Sequence, residues 1–115
     1  MDERLEKFWD FVVEKLGTGK HNLDDLFEFW DEEFTVEEQE ARGLTDGTYV
    51  DYDDVEDDLK RIARKGKVKN YCPSDGSARM VGTEILSNGI KIEIGGQNFP
   101  GTMVLDEEVL VTKKE

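Results

Sequence analysis

The spacing of apolar residues changes once along this chain, at Gly66, and that change constrains the fold more than any other feature. Before Gly66, apolar residues recur every three or four positions, as they do on one face of a helix. After Gly66, short β-branched segments alternate with turn signals. Helices followed by strands are typical of the α+β class. We expect one domain over residues 1–115, with an acidic helical half, 1–66, and a β-rich half, 67–115.

Three to four helices are predicted in the first half. The first carries the apolar stripe of residues 5–16, and the second follows the N-cap Asn22. Thr35 and Glu38 form a capping box for a short third helix, and Asp53 is the expected N-cap of the fourth. These helices should present an apolar face to the strands that follow.

About four strands are predicted after Gly66 and none before it, because the glycine-rich sequence GTGKHN reads as a loop. Asn88-Gly89, between two β-branched segments, is the strongest hairpin signal in the chain. We expect an antiparallel sheet or a small, partly closed β-barrel. Four aromatic residues at helical spacing should bridge the helices to it, namely Phe8, Trp9, Phe27 and Trp30.

Acidic residues outnumber basic ones by 28 to 15, which gives a formal net charge of −13. Residues 1–58 hold 21 of the acidic residues and only 5 of the basic ones. A field of this sign repels free nucleic acid and anionic membranes and attracts basic protein surfaces. We therefore expect a partner protein with a basic surface, no direct binding of duplex DNA and no membrane association. Solubility or adaptation to high salt would also account for such an excess.

Thirteen acidic residues on three successive helical segments lie mainly off the apolar stripes of their helices, so they should face water together. This acidic face comprises Asp24, Asp25, Glu28, Asp31, Glu32, Glu33, Glu37, Glu38, Asp53, Asp54, Glu56, Asp57 and Asp58. Carboxylates four residues apart recur about every 6 Å along a helix, and duplex DNA carries one charge per about 1.7 Å of axis. Two or three such helices side by side could imitate a nucleic acid.

In composition and size, the chain resembles the small acidic inhibitors that phages and mobile elements use against host restriction or CRISPR enzymes. The resemblance implies a non-enzymatic inhibitor or adaptor that masks the basic surface of a nucleic-acid-handling enzyme. On this interpretation the acidic face is the interface, and its charges act collectively.

The sequence DYDDVEDDLKRIARKGKVK changes from acidic to basic in its middle, which supports other interpretations. Acids at the start of a helix and bases at its end complement the helix dipole, so capping alone explains the order of the charges. It does not explain like-charge pairs at i,i+4, such as Arg61 and Lys65, because each pair lowers helix stability by a few tenths of a kcal/mol.

A winged-helix regulator is the second interpretation, with residues 66–82 as the wing. Its DNA contacts would come from the basic segment, which comprises Lys60, Arg61, Arg64, Lys65, Lys67 and Lys69. The acids at the start of the preceding helix argue against it, because that end of a recognition helix approaches the bases. A third class is a small virion or assembly component, and self-association is left open.

Catalysis and cofactor binding find little support. The chain has a single histidine, His21, and a single cysteine, Cys72, too few for a structural zinc site and 51 positions apart. The acidic sequence that begins at Asp51 fails as a calcium loop, because valine and glutamate occupy its fifth and sixth positions. We expect no catalytic residues, no metal and no cofactor. The charged N-terminal sequence lacks the apolar region of a signal peptide, so we expect a soluble, cytoplasmic protein.

Overall fold

The structure is a computed structural model that describes residues 3–113, and within that range the chain forms four helices and five strands. The helices are α1 (Glu3–Leu16), α2 (Leu23–Glu33), α3 (Val36–Ala41) and α4 (Tyr52–Arg64). The strands are β1 (Gly19–Asn22), β2 (Lys67–Cys72), β3 (Ser77–Ile85), β4 (Ile90–Phe99) and β5 (Thr102–Lys113). None of the helices in the described range is long and apolar enough to cross a membrane.

The helices pack on an open antiparallel sheet with the order β1-β5-β4-β3-β2, which confirms the α+β class and excludes the barrel alternative. The four strands expected after Gly66 are confirmed, whereas the expectation of none before it was wrong, because the GTGKHN sequence is not only a loop. Its last four residues form β1 and pair with residues 108–111 of β5. Four residues are too few to show a period, so only the distant partner strand reveals β1.

The predicted Asn88-Gly89 turn is confirmed between β3 and β4. Gly89 has a φ of 89°, in the left-handed region that glycine adopts without strain. The side-chain oxygen of Asn88 accepts a hydrogen bond from the backbone N–H of Ile90 at 3.1 Å. This local chemistry sets the register of the hairpin, which is why the sequence predicted it.

Helix α4 covers the centre of the sheet, where it contacts β3, β4 and β5. It buries Val55, Leu59 and Ile62, while Ile92 and Ile94 are buried on β4. Gly82 of β3 allows the close approach, because a Cβ there would lie 1.8 Å from the carbonyl oxygen of Ile62. The helix is therefore held with one face on the sheet and its opposite face toward solvent.

A cluster of aromatic rings joins α1 to α2. Phe8 and Trp9 are buried as predicted, and the Phe8 and Phe34 ring centroids lie 5.4 Å apart. Phe11 and Phe29 are also buried, although neither was among the four aromatic residues expected to bridge the helices to the sheet. The centroids of their stacked rings lie 5.0 Å apart.

The prediction was wrong for Phe27 and is confirmed only in part for Trp30, which packs against the core without being fully buried. Phe27 is 47% exposed, and Trp30 is half-buried, with its indole N–H donating to the carbonyl of Val50 at 2.9 Å. Successive helical positions turn by about 100°, and the buried face of α2 is centred on Leu26 and flanked by Phe29. Phe27 consequently lies at the rim of that face, where it reaches a groove described below.

Caps and one buried amide position the acidic helices. The backbone N–H of Asp24 donates to the Asn22 side chain at 2.8 Å, which confirms that cap. The N-cap of α4 is Asp51 and not the expected Asp53. Buried Gln39 holds α3 against the loop before α4, because its side-chain oxygen accepts from the Val50 N–H at 2.7 Å.

Candidate protein-binding surface

The acidic face divides into paired and unpaired carboxylates. Four of its residues are half-buried, and each forms an ion pair: Glu38 with Arg42 at 3.0 Å, Asp54 with Arg4 at 4.0 Å, Glu56 with Lys60 at 3.2 Å and Asp58 with Arg61 at 2.9 Å. The other nine are exposed, and none of them forms an ion pair within residues 3–113. These are Asp24, Asp25, Glu28, Asp31, Glu32, Glu33, Glu37, Asp53 and Asp57.

The phase of each helix produces this division. On α4, Asp53 and Asp57 are one turn apart and exposed, while Val55 and Leu59 are buried against the sheet. Asp58 is turned toward the sheet, its side chain is only 12% exposed, and its Oδ2 has no hydrogen-bond partner among the described residues. The structure therefore places Asp58 away from the exposed acids with which the sequence grouped it.

Two tyrosines beside these acids have raised pKa values. Burial, together with the charges of Glu56 and Asp24, raises the pKa of Tyr52 to about 12. Burial, a hydrogen bond to Glu40, and the charges of Asp46 and Glu37 also raise the pKa of Tyr49. Burial is the largest cause for both tyrosines, and the neighbouring carboxylates add to it, because both effects disfavour the phenolate.

Half of the basic segment is neutralised by the fold. Arg61 donates to both carboxylate oxygens of Glu84 on β3, at 3.2 and 2.7 Å, and Lys65 forms an ion pair with the same carboxylate. Lys60 pairs with Glu56 at i,i+4 on α4, and Arg61 also pairs with Asp58 at i,i+3. The shared carboxylate of Glu84 thus offsets the repulsion between Arg61 and Lys65. Helical spacing did not predict this contact, because Glu84 lies on a strand.

Burial alone would raise the pKa of Glu84, but the hydrogen bonds from Arg61 and Lys65 outweigh it and lower that pKa to about 2. The carboxylate is therefore charged at all physiological pH values. The remaining cations, Arg64, Lys67 and Lys69, are exposed and form no ion pair within the described range. Lys65, Lys67 and Lys69 line one shallow hollow of about 340 Å³, together with Glu93, and Arg64 lies in another.

A groove of about 500 Å³, which we call the β5 groove, lies where α2, α4 and β5 meet. The spacing of residues along the sequence did not predict it. Its lining residues are Leu23, Asp24, Phe27, Tyr52, Asp53, Glu56, Lys60, Met103, Val104, Leu105, Asp106 and Glu107. The exposed ring of Phe27 packs edge-on against Tyr52 at 5.1 Å, and the Tyr52 hydroxyl donates to the carbonyl of Leu23 at 2.9 Å. The groove is therefore built on a fixed aromatic wall.

The opposite face of the sheet carries an ion pair that joins two strands. Arg79 of β3 reaches across Gly95 to Asp106 of β5 in a two-point ion pair, with bonds of 2.9 and 2.6 Å. A Cβ at Gly95 would lie 2.6 Å from the Asp106 Oδ2, so the ion pair covers that glycine. The hydrogen bond from Arg79 lowers the pKa of Asp106. This face therefore compensates Asp106 within the fold, whereas Glu93 and Glu108 on the same face form no ion pair within residues 3–113.

The groups with potential for catalysis are engaged locally. The His21 ring lies 2.8 Å from the carbonyl oxygen of Gly17, and the Cys72 sulfur lies 3.1 Å from the Ser74 hydroxyl. Within residues 3–113, no group of three or more His, Cys, Asp or Glu side chains is arranged to hold a metal ion. No protein-family model, curated protein or solved structure matches this chain. The acidic face and the β5 groove are therefore the features that bear on function.

Proposed function

We propose that this protein is a non-enzymatic binding protein whose acidic face covers a basic surface of another protein. The observation that carries the proposal is the set of nine exposed carboxylates on α2, α3 and α4 that have no ion pair within residues 3–113. Such a surface attracts cationic patches over roughly a Debye length, about 8 Å at physiological salt. The finer form of the proposal is an inhibitor that takes the place of a nucleic acid on its partner.

The arrangement of charge supports the mimic over a helix that is merely well capped. Capping and intrahelical pairing account for the four half-buried acids, because each has a cation. The helix dipole also accounts for Asp24, which lies in the first turn of α2, but none of these effects accounts for Glu28 and Glu32, which are exposed and lie at i,i+4 further along that helix. Repulsion along such a row lowers helix stability by a few tenths of a kcal/mol per pair. Binding to a cationic partner reverses the sign of that effect.

A winged-helix regulator is the second candidate, and one observation favours it. Lys65, Lys67 and Lys69 line a common hollow beside β2 and β3, where a phosphate could approach. Against it, Lys65 is paired with Glu84, and Glu93 lines the same hollow. The acidic proposal is therefore preferred.

The test captures partners from a cell lysate on immobilised protein at about 0.05 and 0.5 M salt and identifies them by mass spectrometry. The perturbation is Glu28→Gln with Glu32→Gln, which removes two unpaired charges from α2. The matched control is Glu93→Gln with Glu108→Gln, which removes the same charge from the other face of the sheet. The captured protein is then purified, and its displacement from duplex DNA is measured with each variant.

We expect capture to fall steeply with salt, and the α2 variant to weaken binding and DNA displacement at least several-fold more than the control. The α2 variant should melt no lower than the parent protein, because it removes repulsion. Binding that is flat with salt, or equally sensitive to both variants, would contradict the proposal.

A further inference from the structure

Strand β5 has an edge that is only partly used. It pairs with β4 along most of its length, but β1 covers its other side only at residues 108–111. Along residues 102–107 no strand of the described chain pairs with that side, and no backbone hydrogen bond links those residues to a loop or helix. An exposed stretch of this kind is a template for another extended chain.

The β5 groove opens onto this edge. Five consecutive β5 residues line it, from Met103 to Glu107. Successive side chains of a strand point to opposite faces, so a groove on one face would touch only alternate residues. The register of β5 against β4 shifts between Leu105 and Val109, so this alternation is regular only up to Leu105. Over that regular part Met103, Val104 and Leu105 all line the groove, which places it along the backbone edge, where the free N–H and C=O groups are. Six residues at about 3.3 Å each would make a regular edge about 20 Å long, and the register shift shortens it.

The walls of the groove define what can lie there. Phe27 and Val104 are 47% and 57% exposed and offer apolar contact. Asp24 and Asp53 add two carboxylates without an ion pair in the described range, and Glu56 adds a third that is shared with Lys60. An apolar surface with a negative rim is complementary to a chain that alternates apolar and cationic side chains.

We propose that the β5 groove binds an extended, lysine- or arginine-containing segment of the partner protein, which adds as a strand to residues 102–107 of β5. Its cationic side chains face the helical side of the edge, toward Asp24 and Asp53, with their aliphatic stems against Phe27, and its apolar side chains face the other side of the sheet, where Val104 lies. This inference rests on the proposed function, since it assigns to the basic partner a segment and a backbone conformation.

A second copy of this chain fits the edge poorly. Strand addition between two β5 edges would bring together two grooves that are each lined by several carboxylates. Each chain also carries a net charge of −13, so the two copies repel. The charge of the groove therefore selects a basic partner over self-association.

The test is a titration of ¹⁵N-labelled protein, followed by amide chemical shifts and hydrogen exchange, with an eight-residue peptide of alternating lysine and valine as the probe. A peptide of alternating glutamate and valine is the control for charge. The perturbed protein is Val104→Lys, which puts a cation in the groove. Its matched control is Val36→Lys, because Val36 is 48% exposed, lies on α3 outside the groove and gives the same change of net charge.

The expected result is that the lysine peptide shifts and protects amides within residues 102–107, and that the glutamate peptide does not. Val104→Lys should weaken binding about tenfold or more, while Val36→Lys should weaken it only about twofold through net charge. Two further lysine peptides are N-methylated at alternate residues, one at the odd positions and one at the even positions. Only the peptide whose methyl groups fall on the edge that bonds to β5 should lose binding.

Of the three results that follow, the first two would overturn the inference, and the third would contradict the charge basis of the proposed function. The three therefore distinguish the inference from the proposed function. Shifts confined to residues 28–38, with residues 102–107 unchanged, would exclude the groove and leave the proposed function standing. Concentration-dependent protection of residues 102–107 without peptide would assign the edge to self-association. Equal shifts of the groove by both peptides would support strand addition and contradict the charge basis of the proposed function.

Discussion

Replacing Glu84 with glutamine tests the ion-pair network that holds α4 to β3. The carboxylate accepts from Arg61 and Lys65, and its side chain is only 12% exposed. Glutamine keeps the size and one acceptor oxygen but removes the charge. Both cations then lose their shared partner, and Arg61 retains only Asp58. The expected effect is a loss of stability at neutral pH.

The size of that loss follows from the pKa. A Glu84 pKa lowered from 4.5 to about 2 corresponds to at most about 3 kcal/mol of stability at neutral pH. Arg61 and Lys65 are almost half exposed, at 44% and 46%, so water screens part of the interaction. We therefore expect Glu84→Gln to destabilise the protein by about 1–2 kcal/mol, or about 4 °C in melting temperature for each kcal/mol.

The pH dependence provides the decisive measurement. The folded pKa lies below the unfolded one, so the stabilisation is complete above pH 4.5 and is lost as pH falls toward 2. Urea unfolding of parent and variant at pH 7, 5, 4 and 3 should show a difference that shrinks across the last three values. Glu93→Gln, the same change on the neighbouring strand β4, is the control and should cost less than about 0.5 kcal/mol. A Glu84→Gln protein as stable as the parent at pH 7, or a loss that does not change with pH, would refute the reasoning.

Three further predictions concern packing and nucleic acid. Trp30→Ala should lower the free energy of unfolding by about 2–3 kcal/mol, because the side chain is half-buried and donates one hydrogen bond to Val50. A fully buried tryptophan would cost more, so a loss above about 5 kcal/mol would contradict the half-buried placement. Gly82→Ala should cost roughly 3 kcal/mol or more, because its Cβ would overlap the Ile62 carbonyl oxygen, and a melting temperature equal to the parent's would be inconsistent with that contact. The protein should give no mobility shift with duplex DNA at micromolar concentration and physiological salt. A shift that is abolished by Lys67→Glu with Lys69→Glu would instead support the winged-helix alternative.

The sequence predicted those parts of the fold that short-range chemistry determines. Helices α1 to α4 follow from apolar spacing and caps, and the β3–β4 hairpin follows from Asn88-Gly89. The errors lie where a distant contact decides. Strand β1 exists because β5, about 90 residues away in sequence, pairs with it. The phase of α2 shifted toward Phe29 because Phe11 of α1 packs there, and a single helix does not reveal its neighbour.

The candidate site shows the same division. Helical spacing identified which acids leave the apolar stripe, and nine of the thirteen are exposed. It could not identify the β5 groove, whose walls come from residues as far apart as Leu23 and Glu107. One local signal was present, since two acids follow Phe27 within four positions although the spacing assigned Phe27 to the apolar stripe. An apolar side chain at the edge of a stripe is a candidate for an interface, but spacing alone does not distinguish it from core.

Like-charge pairs on these helices have two different physical origins. On α4, Arg61 and Lys65 repel each other at i,i+4, and Glu84 of β3 offsets that repulsion within the fold. On α2, Glu28 and Glu32 repel each other in the same way, and no cation within residues 3–113 pairs with either. Folding stability accounts for the first pair and opposes the second by a few tenths of a kcal/mol. Under the proposed function, this row of uncompensated charge serves a contact that the isolated chain does not make, and its sign would favour a basic partner surface.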